Sequence, residues 1–317
     1  MNVRKLALAA ALCAMAIPRG LAGETLKIAS PQRGSWEGAI PELGQQAGIF
    51  RKHGLDLDIL YTQGGGETLQ IVISGAVDIG LSAGTLGTLG AYAKGAPVRI
   101  IAASSTGSQE VFWFVPAKSP LKSMRDINGH SIAYSTTGAS SHINVLRFIN
   151  AYGLTARPVA TGEVASTITQ TMSGQVDVGW SVAPFVLDAI ASGEVRMIAR
   201  ASDLEAARAQ TIRVQIINAQ TLAAKKDAIA RYLKAYNETV DWMYSGGDAV
   251  PRYIAFSGLS EPAVRLMLKD FIPRESLQTG KILGLDESMK DAIQFKFIPA
   301  PLTDTQLKEL IQIPPGS

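Results

Sequence analysis

The sequence predicts an α/β protein built from two similar lobes, and three observations support this. Short apolar segments with the spacing of strands alternate with amphipathic segments with the spacing of helices, a rhythm typical of parallel sheets covered by helices. A group of residues in the first half recurs at a constant offset in the second half. The chain has 317 residues, 47% of them hydrophobic, which is enough for about two domains.

The first 23 residues have the features of a secretory signal. Arg4 and Lys5 form a basic start, an apolar run of 12 residues follows at positions 6–17, and small residues end the segment at Ala22 and Gly23. A membrane-spanning helix needs about 20 apolar residues, so this run predicts an export signal that is cleaved near Ala22 or Gly23. We therefore predict a periplasmic protein; a buried N-terminal helix is the alternative interpretation.

The predicted leader also changes the charge balance. The chain has 30 basic and 27 acidic residues, and Arg4, Lys5 and Arg19 lie in the leader. The remaining chain is formally neutral and lacks the clustered basic excess of a nucleic-acid-binding protein, so we predict no nucleic-acid partner. The single cysteine, Cys13, also lies in the leader. Without thiols the rest of the chain can form neither a disulfide nor a thiolate metal site, and we predict no metal and no cofactor.

The first α/β unit can be followed element by element. Runs of apolar and β-branched residues predict strands, and apolar residues at helical spacing predict the helices between them. Gly54 is expected to end the first helix, and three glycines at residues 64–66 form a loop before the second. The predicted elements are a strand at 26–29, a helix through Ile40, Leu43, Ala47 and Phe50, a strand at 55–61, a helix starting at 67–74 and a strand at 76–81.

An internal repeat relates this unit to a second one. Matching residues lie 99 positions apart, so we expect one α/β unit to be used twice, in about residues 24–106 and 128–200. Gly75 and Gly174 are expected to end helices with a positive φ. Asp78 and Asp177 are expected to bind backbone amides. The matches are Thr68, Ser74, Gly75, Val77, Asp78, Gly80 and Ser82 with Thr167, Ser173, Gly174, Val176, Asp177, Gly179 and Ser181, and Gly54-Leu55 with Gly153-Leu154.

Two further strand-like segments lie where the chain is expected to cross between lobes. Residues 109–115 and 211–217 are rich in branched or aromatic side chains, as strands are. Two crossings of this kind make a hinge. The predicted division is lobe 1 at residues 24–108 with 212–317 and lobe 2 at residues 109–211.

Several segments together resemble a known family, the periplasmic substrate-binding proteins of nitrate, taurine, alkanesulfonate and thiamine-precursor ABC importers. The resemblance implies a type II periplasmic binding protein fold, with two α/β lobes joined by two hinge strands and a small-molecule ligand between them. It also implies a membrane permease as the partner, and we predict a monomer. The segments are residues 46–57, 74–80, 93–98, 121–129 and 173–177.

The candidate ligand site follows from the carboxyl ends of the predicted strands, because ligands of open α/β sheets bind there. Residues 134–141 join a strand to a helix and are rich in hydroxyls; exposed amides at a helix start favour an anionic or strongly polar group. Arg33 is a candidate partner for a carboxylate or sulfonate. The predicted ligand-binding residues are Gln32, Arg33, Trp36, Gly65, Ser82, Thr85, Thr136, Thr137, Ser140, Trp180 and Ser181.

Each of these residue types also has an ordinary structural role. The hydroxyls at 136–140 can cap their helix, the tryptophans can pack in a core, and Arg33 can be a solvated surface residue. Ser82 and Ser181 are equivalent in the repeat and are expected to meet the ligand from opposite sides. Glu37 is a candidate partner for a cation or an amine, although capping is the commoner role of such a residue.

The predicted function is non-catalytic binding of a small organic anion of the sulfonate or carboxylate type, with a neutral pyrimidine as another possibility. His53, His130 and His142 are scattered and lack metal-ligand spacing. One alternative is an enzyme on the same fold: thiamine-precursor synthases carry a cysteine-rich iron motif that is missing here, and chorismate-dehydratase-type enzymes act in the cytoplasm, which the leader contradicts. The other alternative is a sensory ligand-binding protein that docks on a membrane receptor.

Overall fold

The computed structural model describes residues 23–315, so the predicted export signal lies outside the described residues except for Gly23. Within this range the chain forms ten strands in three sheets. The strands are β1 (Glu24–Pro31), β2 (Leu55–Thr62), β3 (Ile79–Gly84), β4 (Val98–Thr106), β5 (Val111–Pro116), β6 (Ser131–Tyr134), β7 (Arg157–Ala160), β8 (Gly179–Val182), β9 (Val195–Arg200) and β10 (Thr211–Asn218).

Helices alternate with these strands and then make up the C-terminal third of the described chain. In that part, α10 buries one face that includes Ile229, Tyr232 and Tyr236. No helix within residues 23–315 is both long and apolar enough to cross a membrane. The helices are α1 (Ile40–Gln46), α2 (Ile49–Lys52), α3 (Gly65–Ile73), α4 (Thr85–Ala93), α5 (Ser140–Tyr152), α6 (Val164–Met172), α7 (Leu187–Ala191), α8 (Glu205–Arg208), α9 (Ala219–Ala224), α10 (Lys226–Tyr244), α11 (Ala249–Ser257), α12 (Glu261–Asp270), α13 (Leu285–Gln294) and α14 (Asp304–Leu310).

The larger sheet holds five strands in the order β2-β1-β3-β10-β4. β1 runs parallel to β2 and β3, whereas β10 is antiparallel to β3 and β4. Every residue of β10 is buried, because an interior strand of a covered sheet has neighbours on both edges and both faces. This strand therefore carries Arg213 and Gln215 into the interior along with its apolar residues.

The strands from β5 to β9 form the two smaller sheets. β5 lies between β8 and β9 and is antiparallel to both. β6 and β7 form a parallel pair, which a bridge from Ile132 to Val178 joins to the start of β8. The aromatic segment of β5 is central to this core, where Trp113 packs edge to face on Phe148 of α5 with ring centres 5.4 Å apart.

The fold is thus α/β with two lobes and two crossings between them. The chain leaves the larger sheet after β4 and reaches β5 through residues 107–110. It returns from β9 to β10 through residues 201–210. We propose that these crossings separate a lobe 1 of residues 24–108 with 212–317 from a lobe 2 of residues 109–211.

The internal repeat appears in the structure as a repeated set of contacts. Gly75 and Gly174 follow α3 and α6 with φ of 77° and 76°, which confirms the predicted left-handed conformation. Asp78 accepts the backbone N–H of Lys27 at 2.9 Å, and Asp177 accepts that of Ser131 at 2.8 Å. Each aspartate lies just before the third strand of its unit and binds a backbone amide of the first strand, in agreement with the predicted local role.

Candidate functional site

A small cavity lies between the lobes. Its walls come from the loop after β1, the carboxyl end of β3, the starts of α3 and α5, and the strands β8 and β10. The space open to the centres of water-sized molecules is about 50 Å³, which corresponds to about four waters at ~10–15 Å³ each. The cavity in this conformation is therefore the size of a small solute and is bounded by both lobes.

Three charged side chains meet in the cavity wall. The Nη2 atom of Arg213 lies 2.9 Å from Oε2 of Glu37 and also contacts Oε1 of Glu110. The exposed fractions of the three side chains are only 10%, 9% and 4%. Burial works against the charged guanidinium, but Glu110 and Glu37 outweigh it and raise the pKa of Arg213 above its ordinary value. The wall thus holds one cation between two carboxylates.

Glu37 is held in place by hydroxyl groups of the larger sheet. Ser82 of β3 donates to its Oε1 at 2.6 Å, and Ser104 of β4 donates to the same atom at 2.5 Å. Hydrogen bonds to a carboxylate stabilise its charged form. The structure therefore gives Glu37 the role of an acceptor at the cavity rather than the helix-capping role that its position suggested.

The loop that carries Glu37 is fixed from behind by aromatic residues. Tyr253 donates its hydroxyl to the carbonyl of Gly34 at 2.6 Å. Trp36 donates its indole N–H to the hydroxyl of Tyr244 at 3.1 Å and packs edge to face on Tyr253. These contacts hold Trp36 fully buried with one part of its surface on the cavity. The loop is thus a rigid support for the site.

Two cavity residues have an unusual backbone conformation. Gln32 has φ of 56° and Ser82 has φ of 54°, in the left-handed region that non-glycine residues adopt at a cost of about 1–3 kcal/mol. Both residues line the cavity. Such conformations cluster at ligand sites, so their position supports a functional role for this part of the cleft.

The structure brings about half of the predicted site residues to the cavity. Gln32 and Trp36 come from the loop after β1, Gly65 from the start of α3 and Ser82 from the end of β3. From the other lobe come Ser140, at the start of α5, and Trp180 of β8, whose indole N–H donates to Thr161 at 3.2 Å. The predicted position between facing lobes therefore agrees with the geometry for these residues, and their ligand contacts stay a proposal.

Other predicted residues lie away from the cavity wall. Arg33 is exposed, and its guanidinium lies 4.8 Å from the ring centre of Phe256. Thr85 donates to the carbonyl of Thr211 at 2.7 Å. Ser181 donates to the carbonyl of Phe185 at 3.3 Å, so it does not face Ser82 across the cavity as the repeat suggested.

The predicted threonines lie at the rim, where the lobes touch. Thr136 accepts the backbone N–H of Gly66 through its hydroxyl oxygen at 3.0 Å, and Thr137 beside it is exposed. On the same rim, Gln32 accepts the backbone N–H of Val164 at 3.1 Å. A Cβ atom on Gly84 would collide with the carbonyl of Gly138. The lobes are therefore in direct contact around the cavity, as in a closed cleft.

Sequence reasoning missed Glu110 and Arg213 as cavity residues. Both lie next to the crossings between lobes, and neither belongs to the repeat. A usable signal for Arg213 was present, because the segment 212–217 is mostly apolar and a charged residue in a buried strand must find a partner. Ser105, Ser135 and Ser141 also line the cavity and add hydroxyls to both sides.

Comparison with known proteins gives a family and a set of similar folds. Residues 42–248 match the family model described as NMT1/THI5 like. No curated protein matches the sequence. The structure resembles the alkanesulfonate-binding protein SsuA of Xanthomonas axonopodis pv. citri bound to MOPS, with a TM-score of 0.77, 18% identity, and coverage of 92% of this chain and 98% of that one.

Two further structures show the range of proteins that share this fold. The periplasmic nitrate-binding protein NrtA of Synechocystis PCC 6803 has a TM-score of 0.66 and 14% identity, with coverage of 92% of this chain and 86% of that one. The desulfurization enzyme DSZB has a TM-score of 0.62 and 14% identity, with coverage of 90% and 99%. The type II periplasmic binding protein fold therefore hosts binding proteins and at least one enzyme.

Proposed function

Because the chain belongs to the NMT1/THI5-like family, we propose that it is the exported solute-binding component of an ABC importer. The observation that carries the proposal is the small cavity between two touching lobes, with charged and hydroxyl groups in a largely apolar wall. Enclosed clefts between domains are the usual place for small-molecule sites. Two similar structures are an alkanesulfonate-binding protein and a periplasmic nitrate-binding protein, which fits this role.

The proposed mechanism is closure of the two lobes on a solute. A solute in the cavity contacts both lobes, so it binds the closed form better than the open form and shifts the population toward closure. The contacts of Thr136 with Gly66 and of Gln32 with Val164 join the two lobes, so opening would have to break them. The crossings at residues 107–110 and 201–210 form the hinge. The membrane permease then recognises the closed form.

A catalytic role is the main alternative, since an enzyme shares the fold. Within the described cavity wall the polar groups are serine hydroxyls, one glutamine, two carboxylates and one guanidinium, and the carboxylates are engaged with the guanidinium. This arrangement suits recognition of a polar solute better than proton transfer. A sensory role differs from a role in import only in the membrane protein that recognises the closed form.

A closure test uses the close approach of the two lobes at Gly84. This residue has ordinary φ of −63°, so Gly84→Ala leaves the strand unstrained and places a methyl group against Gly138 of the other lobe. We expect small-angle scattering to show compaction of the wild type with a stabilising solute and a persistently larger radius for Gly84→Ala. An identical radius for both proteins, with and without solute, would contradict closure.

Binding and catalysis are separated by the fate of the solute. A thermal-shift screen finds solutes that raise Tm by mass action, and mass spectrometry after prolonged incubation then measures whether the solute is unchanged. We expect full recovery of unmodified solute. Conversion of one or more equivalents of solute per protein would establish an enzyme instead.

Export is tested separately, by sequencing the N-terminus of the protein from the periplasmic fraction. We expect the mature chain to start near Ala22 or Gly23.

A further inference from the structure

The charges of the cavity point to the class of solute. We propose that the site accepts a small organic solute with a positively charged nitrogen, such as a protonated amine, and that Glu110 holds this nitrogen. The proposal rests on the proposed solute-binding function. It departs from the organic anion that the sequence suggested, because the anion prediction relied on Arg33, and Arg33 lies outside the cavity.

The first step is the net charge of the wall. Among the cavity-lining residues the charged side chains are Glu37, Glu110 and Arg213, so the wall carries one excess negative charge. A buried charge without a partner is costly. An anionic solute would add a second excess negative charge beside both carboxylates, whereas a monovalent cation would bring the wall to neutrality.

The second step is which carboxylate is free to bind. Glu37 uses both oxygens, since Oε1 accepts from Ser82 and Ser104 and Oε2 lies against Arg213. Glu110 contacts Arg213 through Oε1 only, and its Oε2 has no hydrogen-bond partner among residues 23–315. The Glu110 side chain is 96% buried and faces the cavity. A carboxylate oxygen that no protein group satisfies can accept a hydrogen bond from a solute in the cavity. The buried Nε of Arg213 also has no partner among the described residues, so the solute can carry an acceptor beside its charged nitrogen.

The third step is the character of the remaining wall. Trp36 and Trp180 both line the cavity, together with the apolar side chains of Val111, Val182 and Ile272. Aromatic faces attract cations by about 0.5–2 kcal/mol, and apolar walls favour carbon groups. A small ammonium with a short apolar body satisfies the free oxygen of Glu110, the aromatic rings and the excess charge together. An inorganic anion could accept from Nε of Arg213, but it satisfies neither the oxygen of Glu110 nor the excess negative charge.

The experiment uses matched solutes and matched variants of the mature protein. The probes are n-propylammonium, propanesulfonate, the zwitterion 3-aminopropanesulfonate and neutral n-propanol, each measured by thermal shift and calorimetry. The variants are Glu110→Gln, which keeps size but removes charge, Glu110→Asp, which keeps charge, and Glu205→Gln as an exposed control on α8. Circular dichroism checks that each variant is folded.

We expect the probes with an ammonium group to bind the wild type and the control at least tenfold more tightly than propanesulfonate or propanol. Glu110→Gln should remove this preference, and Glu110→Asp should keep part of it. Binding of propanesulfonate alone, with compaction in scattering, overturns the charge assignment and leaves the solute-binding function in place. Unchanged ammonium affinity in folded Glu110→Gln also overturns the assignment. No response of the folded wild type to the ammonium probes also overturns the assignment, whereas the solute-binding function fails only if the wider thermal-shift screen finds no stabilising solute.

Discussion

The two α/β units share their internal contacts but differ where they meet the cavity. In the first unit Thr62 and Thr68 are joined at 2.7 Å between hydroxyl oxygens, and in the second unit Thr161 and Thr167 are joined at 2.6 Å. At the end of the third strand this likeness stops. Ser82 donates into the cavity to Glu37, as described above, whereas its counterpart Ser181 donates to a nearby turn.

This difference shows which parts of the repeat hold the frame and which parts are free to vary. The repeated aspartates, glycines and threonines bind backbone within their own unit, so each unit needs them wherever it is placed. The cavity residues contact the other lobe or the crossings. The charged ones, Glu37, Glu110 and Arg213, have no counterpart in the repeat, so recognition depends on residues outside the repeated set.

The largest expected effect comes from the unrepeated charge cluster. Arg213→Met would leave Glu37 and Glu110 buried without their cation, and breaking a buried pair in this way costs about 3–5 kcal/mol. Urea unfolding should show this loss in the free energy of unfolding, while the exposed control Arg265→Met on α12 should change it little. A loss no larger than that of the control would mean that the cluster is not charged as described.

A second effect is a pH dependence of the folding stability that arises in the second unit alone. In the second unit only, His142 lies beside the rim loop, stacks on Tyr134 at 4.3 Å and accepts the N–H of Gly138 at 3.3 Å. Burial lowers the pKa of His142 to about 4. Below pH 6.5 the unfolded chain takes up a proton that the folded chain refuses, so stability falls as pH drops from about 6.5 to about 4.

The size of this effect is roughly 2–3 kcal/mol at pH 4, reduced somewhat by partial exposure. His142→Asn keeps an acceptor for Gly138 and removes the titration. Urea unfolding across this pH range should therefore show a smaller loss in His142→Asn than in the wild type. Parallel pH profiles for the two proteins would show that His142 titrates normally in the folded state.

A third effect compares the equivalent aspartates. Asp78→Ala and Asp177→Ala each remove a charged acceptor for a backbone amide, which costs about 1.5–3 kcal/mol for a buried group. Asp78 also pairs with Lys225 at 2.9 Å and is 13% exposed, whereas Asp177 is 42% exposed. The loss in urea unfolding should thus be larger for Asp78. A larger loss for Asp177→Ala than for Asp78→Ala would contradict the interpretation that both aspartates bind backbone in the same way and differ only in burial and ion pairing.

The smallest effect concerns the equivalent serines. Ser82→Ala removes one donor to the charged Glu37, but Ser104 still donates to the same oxygen, so the loss is smaller than that of an unshared hydrogen bond to a charged group, about 1.5–3 kcal/mol. It should weaken binding of an ammonium probe a few-fold, as measured by calorimetry, while Ser181→Ala leaves the affinity unchanged. Equal losses in both variants would restore the symmetric two-serine site that the repeat suggested.

The sequence by itself determined the α/β class, the repeat and the local roles of its residues. Asp78 and Gly75 act within one strand–helix–strand unit, and such short-range roles are set by φ preferences and local hydrogen bonds that every copy of the motif carries. For the same reason the rhythm of strands and helices was readable without coordinates. The loop after β1 and the start of α5 were also located in this way.

Only the tertiary structure decided the chemistry of the cavity. Glu37, Glu110 and Arg213 are separated by 73 and 103 positions in the chain, and they meet because β10 returns to insert between β3 and β4. The local sequence indicates burial for Arg213 alone, and it does not identify Glu37 or Glu110 as the partner. Their convergence depends on strand order and lobe contact, which are properties of the whole chain that no local pattern encodes.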